Sequence, residues 1–224
     1  MTHIADTLYF LQEKLPQQTK LVAVSKYQPA ESIMEAYKTG QRIFGESHAL
    51  EVRDKYQQLP KDIQWHFIGH LQTNKIKYIA PFVSLIHSAD SARVIQEINR
   101  QGIRNNRTIQ CLLQLRVAQE ETKYGFTPEE CINYLLDEPW QDYTGVRFVG
   151  CMCMASNVED EQQIASEFQK AHNTYLYIKE KFFANDKEFC ECSWGMSDDY
   201  PTALQHGSTL VRIGSMIFGE RSIK

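Results

Sequence analysis

The chain has 224 residues and a net charge of −4, with 42% apolar and 23% charged residues. Such a composition fits one soluble globular domain, expected over residues 1–224, large enough to bury a core without disulfides or metal. With no basic surplus it lacks the electrostatic footprint of nucleic-acid or anionic-membrane binding, and no apolar run approaches the roughly 20 residues that span a bilayer.

Residues 4–14 have helical spacing and mix Asp6, Glu13 and Lys14 with apolar residues, unlike the basic start and apolar block of an export signal. Without such a signal, six cysteines read as reduced thiols, and the protein is expected in the cytoplasm. Residues 21–26 (LVAVSK) form an apolar, β-branched run that predicts a buried strand. Pro29 and Gly40 then bracket a helix. Further strands are expected at 42–44, 65–68, 83–87, 109–117, 147–154, 189–193 and 210–218. Helices are expected between them at 48–58, near 73–80, from a Ser88 or Asp90 cap to Gly102, from Thr127-Pro128, over 159–183, and from a Ser197 cap to His206-Gly207. Strands that alternate with helices imply a parallel sheet. A closed (β/α)8 TIM barrel accommodates eight strands without an exposed edge. The rival open, doubly wound sheet lacks support, since no G-x-G-x-x-G follows the first strand.

In such a barrel the chemistry lies where strands end and loops begin. Lys26 ends the first strand and shares its alternating face with Val22 and Val24. An amine among apolar walls has its charged form disfavoured, and a neutral amine is what Schiff-base chemistry needs. Taken by itself, a lysine at a strand end more often leaves it and reaches out to water, since lysine is rarely fully buried. Ser193-Trp194-Gly195-Met196-Ser197 ends the seventh strand and opens a helix, which fits either a phosphate cradle or an ordinary cap. Asp198 and Asp199 would repel a phosphate unless turned away. Gly214-Ser215 offers further amides and a hydroxyl after the eighth strand. Arg212, inside that strand, needs a buried partner: an internal carboxylate or an acceptor on a ligand. Against a pyridine nitrogen, arginine would keep its protons and leave the ring a weak electron sink.

Cys151/Cys153 and Cys190/Cys192 repeat on strand faces and read as buried thiols, because structural zinc sites space their cysteines differently. His66 and His70 fit core or surface roles as well as any ligand role. Glu46 has no evident second carboxylate for glycosidase chemistry.

Several stretches together resemble the pyridoxal phosphate homeostasis protein (YggS/PROSC) family. They are LVAVSK at 21–26, FGES at 44–47, WHFIGHLQTNK at 65–75, ETKYGF at 121–126, GCMCMA at 150–155 and SWGMSDDYPTALQHGSTLVRIGSMIFGER at 193–221. The resemblance runs in order over nearly the whole chain. It implies a barrel like the N-terminal domain of alanine racemase, holding pyridoxal 5′-phosphate as an internal aldimine on Lys26. It implies that Ser193, Gly195, Gly214 and Ser215 surround the phosphate and that Arg212 faces the pyridine nitrogen. Residues 65–70, His66 among them, and Met152 would lie near the ring or its entrance, with Ser47 beside the cofactor.

The chain departs from the family at Ser47, usually asparagine, and at Gln114-Leu115-Arg116, usually QVN or QIN. Trp194 stands where Met or Leu is common, and Ser215 where Thr is common. The first two departures bear on ring contacts and on the loop after the fifth strand; the lysine and the phosphate framework are untouched. The resemblance implies a protein of cofactor homeostasis, without established turnover, that could pass its cofactor to pyridoxal-phosphate-dependent apoenzymes; with no obvious interface helix in the sequence, a monomer is expected. The alternatives are an amino-acid racemase, for whose second domain the chain leaves no room after the eighth strand, and a barrel binding another phosphorylated metabolite.

Overall fold

The computed structural model describes residues 2–120 and 123–219. Glu121 and Thr122 of the ETKYGF stretch, and Glu220 and Arg221 of the last block, lie outside the described residues. Eight strands pair in parallel in chain order: β1 Lys20–Val24, β2 Ile43–Glu46, β3 Gln64–Phe67, β4 Leu85–Ala89, β5 Ile109–Leu115, β6 Val146–Cys153, β7 Glu191–Ser193 and β8 Leu210–Ile213. β8 pairs back onto β1, with Val22 opposite Arg212, and closes the barrel. Helix α1 (His3–Lys14) precedes β1. The crossovers carry α2 (Ala30–Lys38), α3 (Ala49–Gln58), α4 (Thr73–Ile79), α5 (Ala92–Arg104), α6 (Pro128–Asp137), α7 (Glu161–Phe182) and α8 (Tyr200–Gln205). A single turn of helix, α9 (Ser215–Phe218), follows β8.

Alternation along the strands divides the apolar side chains into two cores. Leu21, Ala23, Trp65, Phe67, Cys151, Cys153, Val211 and Ile213 face outward into the layer between barrel and helices. Val22, Leu85, Leu112, Val149, Met152 and Leu210 fill the barrel itself. Its interior is therefore packed, and the site has to lie at an end.

Several predicted boundaries shift for local reasons. β1 stops at Val24 because the Gln28 amide donates to Ser25 O at 3.0 Å, folding residues 25–28 into a turn. β8 stops at Ile213 because Gly214, at φ −125 and ψ −69, leaves the extended region; Ser215 onward is helical, not strand. Ser91, rather than Ser88 or Asp90, occupies the N-cap of α5. Likewise Asp199, not Ser197, occupies that of α8, which has Pro201 in its first turn. Cys190 is exposed, while Cys151, Cys153 and Cys192 are buried in the outer core.

The best-defined helix start is that of α6. Glu130 N donates to the Thr127 hydroxyl at 3.2 Å and Thr127 N donates to Glu130 Oε2 at 2.7 Å, completing a capping box ahead of Pro128. Thr127→Ala is expected to cost about 1 kcal/mol, read as a lower urea midpoint at unchanged m-value.

Candidate functional site

The turn after β1 carries Lys26. Lys26 is half-buried, and Tyr27 beside it has a left-handed φ of 65°. The third place of such a turn usually goes to glycine, since a side chain there costs about 1 kcal/mol or more. Two groups from α3 hold this backbone. Glu51 Oε1 accepts the Tyr27 N–H at 2.7 Å, and Lys55 Nζ donates to Ser25 O at 2.8 Å. Lys55 also pairs with Glu46 at 2.8 Å and Glu51 at 2.6 Å, while the Ser25 hydroxyl donates to Glu46 Oε1 at 2.6 Å. Glu46 is thus the partner of an internal lysine, which it shares with Glu51, and not half of a glycosidase pair.

Beneath the mouth lies a layer of polar side chains that bridges the barrel. Arg212 Nη1 donates to Ser193 O and Oγ, both at 2.7 Å, and Nη2 donates to Cys153 O at 3.0 Å. Ser193 Oγ lies 2.9 Å from His87 Nδ1, and His87 Nε2 lies 2.9 Å from His66 Nδ1. Burial drives both imidazoles to the neutral form: His66 falls to about 3, helped by Lys20, and His87 falls well below the usual imidazole range, helped by His66 and Arg212. One proton arrangement satisfies this chain. Ser193 accepts from Arg212 and donates to His87 Nδ1, leaving His87 Nε2–H to donate to His66. Ser193 therefore sits one layer below the loop amides, with its hydroxyl engaged by Arg212 and His87.

Two loops approach each other above this layer. Gly195, at φ +90, packs so tightly that a Cβ would meet Ala203 Cβ at 2.6 Å and Tyr200 Cα at 2.9 Å. A Cβ on Gly214 would lie 3.1 Å from Val24 Cβ, so the loop after β8 rests against the end of the lysine strand. Ser215 is exposed at the start of α9. Asp199 turns back to accept the Met196 N–H at 2.5 Å, engaging a carboxylate that the sequence set near any phosphate.

The remaining predicted residues frame the site less directly. Ser47 is half-buried with Oγ 3.2 Å from His48 Nδ1. Met152 is only 1% exposed and belongs to the barrel interior, with half-buried Met154 two residues on. His70 lies 3.0 Å from Asp90 and stacks on Tyr124 at 3.6 Å between ring centroids. Gln114, at one of the family departures, donates from Nε2 to Tyr124 O at 2.9 Å and so ties down the loop after β5. The sequence reading missed His87, which stands in an apolar strand 106 residues from its serine partner. It also missed Glu51 and Lys55; their one local signal is the i,i+4 spacing, which many surface pairs share.

What could occupy this mouth follows from the donors. The Arg212 guanidinium is 4% exposed and forms no ion pair among the described residues; its recorded acceptors are two carbonyls and a hydroxyl. A fixed cation beneath glycine-lined loops, at the same barrel end as a lysine, fits a phosphorylated ring with a nitrogen acceptor and an electrophilic carbon. Pyridoxal phosphate is such a group.

Comparison with known proteins places this architecture. Residues 1–222 match the family model for the alanine racemase N-terminal domain. Alanine racemase from Bartonella henselae superposes with a TM-score of 0.71 at 14% identity, covering 99% of this chain and 61% of that one, and so shares the fold. The class is therefore the alanine racemase N-terminal type of (β/α)8 barrel. Within that class, a pyridoxal phosphate homeostasis protein from Aquifex aeolicus is 36% identical over 206 residues, covering 90% of this chain and 87% of the relative. Its counterpart in Mus musculus is 35% identical over 215 residues, covering 91% and 77%. PipY of Synechococcus elongatus, solved without pyridoxal phosphate, matches at a TM-score of 0.90 and 31% identity over 96% of this chain and 100% of that one. The same protein with pyridoxal phosphate bound matches at 0.86. The chain belongs to the pyridoxal phosphate homeostasis protein family.

Proposed function

We propose that this protein binds pyridoxal 5′-phosphate at the barrel mouth through a covalent link to Lys26 and serves homeostasis of the cofactor rather than a catalytic cycle. The observation that carries this reading is the buried Arg212 guanidinium, without an ion pair among the described residues, at the same barrel end as Lys26. The relatives' names and the cofactor-bound PipY support it. When bound, the cofactor supplies an aldehyde that an amine can capture and release.

The residues of this chain do the rest. The loops at Gly195 and Gly214-Ser215 would hold the phosphate, with the Gly214 N–H now 3.4 Å from Ser197 Oγ exchanging that hydroxyl for a phosphate oxygen, while the Ser193 hydroxyl fixes Arg212. Arg212 presents a donor to the ring nitrogen without giving up a proton, which keeps the ring a poor electron sink. Such a site masks a reactive aldehyde and suits storage and hand-over to apoenzymes. In this reading the protein works in the cytoplasm as a monomer. Among the described residues, no helix is long and apolar enough to cross a membrane.

The test is an absorption spectrum with added pyridoxal phosphate, followed by borohydride reduction and peptide mass spectrometry. A long-wavelength band and a reduced adduct on Lys26 are expected. An adduct on another lysine, or none, would overturn the reading. Chiral chromatography of alanine incubated with the loaded protein tests the racemase alternative. Turnover well above that of free cofactor, lost in Lys26→Ala, would establish an enzyme.

A further inference from the structure

The turn that carries Lys26 is secured from outside the barrel by groups with no place in the phosphate cradle or the ring contact. Ser25 O receives two donors, Gln28 N at 3.0 Å and Lys55 Nζ at 2.8 Å. On the other side of Lys26, the left-handed Tyr27 gives its N–H to Glu51 at 2.7 Å, and its hydroxyl lies 3.2 Å from His48 Nε2. A strained residue persists only where its surroundings over-determine it, and such residues gather at functional sites. Here the over-determining groups are a lysine and a glutamate one helical turn apart on α3.

Behind them Glu46 is fully buried, with Oε1 held by Ser25 and Lys55, while Oε2 has no hydrogen-bond partner among the described residues. One ammonium thus serves two carboxylates. Glu51 faces Lys55 and the Tyr27 amide, with His48 Nδ1 3.5 Å away; Glu46 faces Lys55 and Ser25. Burial pushes the Glu46 carboxyl up to about 7, against the pull of Lys55 and Ser25. The cluster therefore places a buried carboxyl of adjustable charge directly behind the lysine turn.

We propose that Glu51 and Lys55, backed by Glu46, are positioning residues that lock the turn at residues 25–28 so that Lys26 presents its amine in one direction. The inference rests on the role of Lys26 proposed above, but it concerns the free protein as well. It predicts that the reactivity of Lys26 depends on side chains that never meet the cofactor.

The experiment is competitive labelling of lysines in the cofactor-free protein with acetic anhydride across pH. Lys26 is read against exposed Lys38 by peptide mass spectrometry, and pyridoxal phosphate affinity is measured in parallel. Glu51→Ala and Lys55→Met are each expected to change the relative labelling of Lys26 at least threefold and to weaken cofactor affinity at least tenfold. Glu51→Gln keeps an oxygen for the Tyr27 N–H and is expected to recover most of both. Glu46→Gln is expected to flatten the pH profile of Lys26 labelling around neutrality. Should these variants only lower the melting temperature, with Lys26 labelling as in wild type, the cluster is structural and the proposal fails. Should wild type take up no cofactor, the proposed function falls, and the labelling profile decides the positioning role separately.

Discussion

Lys26→Ala is expected to lose the long-wavelength absorption and the borohydride-stable adduct while keeping its melting temperature within a few degrees. The lysine lies in a half-buried turn, outside both apolar cores. Its truncation opens no large cavity, so the stability change should stay within about 1 kcal/mol. Phosphate and ring contacts would remain, and the variant should still bind the cofactor reversibly. A fall in retention of about 100-fold, equivalent to ~2.7 kcal/mol, is the anticipated scale for losing the covalent anchor. Gel filtration of loaded protein, with absorbance followed through the eluted peak, measures it directly. Unchanged colour in Lys26→Ala would move the anchor to another lysine. Collapse of the fold would instead show that this side chain supports the turn as much as the cofactor.

How far the sequence could be read depended on whether a residue's partners were local. The two-residue period of a strand puts Arg212 on the face of Leu210, and Leu210 fills the barrel interior together with Val22, the residue paired with Arg212. The same period placed Cys151 and Cys153 on one buried face. Lys26 follows the C-terminal end of β1 as the second residue of a turn, not as the last residue of the strand. Nothing in LVAVSK announces that turn, because the groups that impose it, Glu51 and Lys55, come 24 and 30 residues after the backbone groups they bind, from α3. Tyr27 even argues against it, since a bulky residue is a poor choice at positive φ. Ser197 was a sensible cap by residue type, yet Pro201 and Asp199 move the helix start two residues on. His87 was invisible for the opposite reason. It sits in an apolar run that reads as core; the neighbouring strand β3 brings His66 to one nitrogen, and only the curling of the sheet into a barrel brings Ser193 of β7 to the other.

Substitution of Arg212 should produce the second large effect, and its sign differs between two measurements. In Arg212→Met, Ser193 O, Ser193 Oγ and Cys153 O lose their recorded donor inside the barrel. Leaving buried acceptors unmet costs about 1–3 kcal/mol each, and the Ser193 hydroxyl, already donating to His87, offers no relief. A net loss of about 3 kcal/mol would lower Tm by roughly 6–12 °C in a domain of this size. Arg212→Lys should fare little better, because an ammonium has no planar fork to reach Ser193 and Cys153 together. Arg212→Glu is the more telling variant for function. A carboxylate there faces the same carbonyls, so cofactor retention should drop at least about tenfold, ~1.4 kcal/mol. Yet a carboxylate opposite the ring nitrogen favours its protonated form, which draws electrons from the bonds at the amino-acid α-carbon. The cofactor still bound should therefore exchange the α-proton of alanine for deuterium faster, per site, than wild type does. Weaker binding together with faster exchange is the outcome that assigns Arg212 to the ring nitrogen. Full affinity with an unchanged spectrum would remove it from the site and leave its burial without a functional reason.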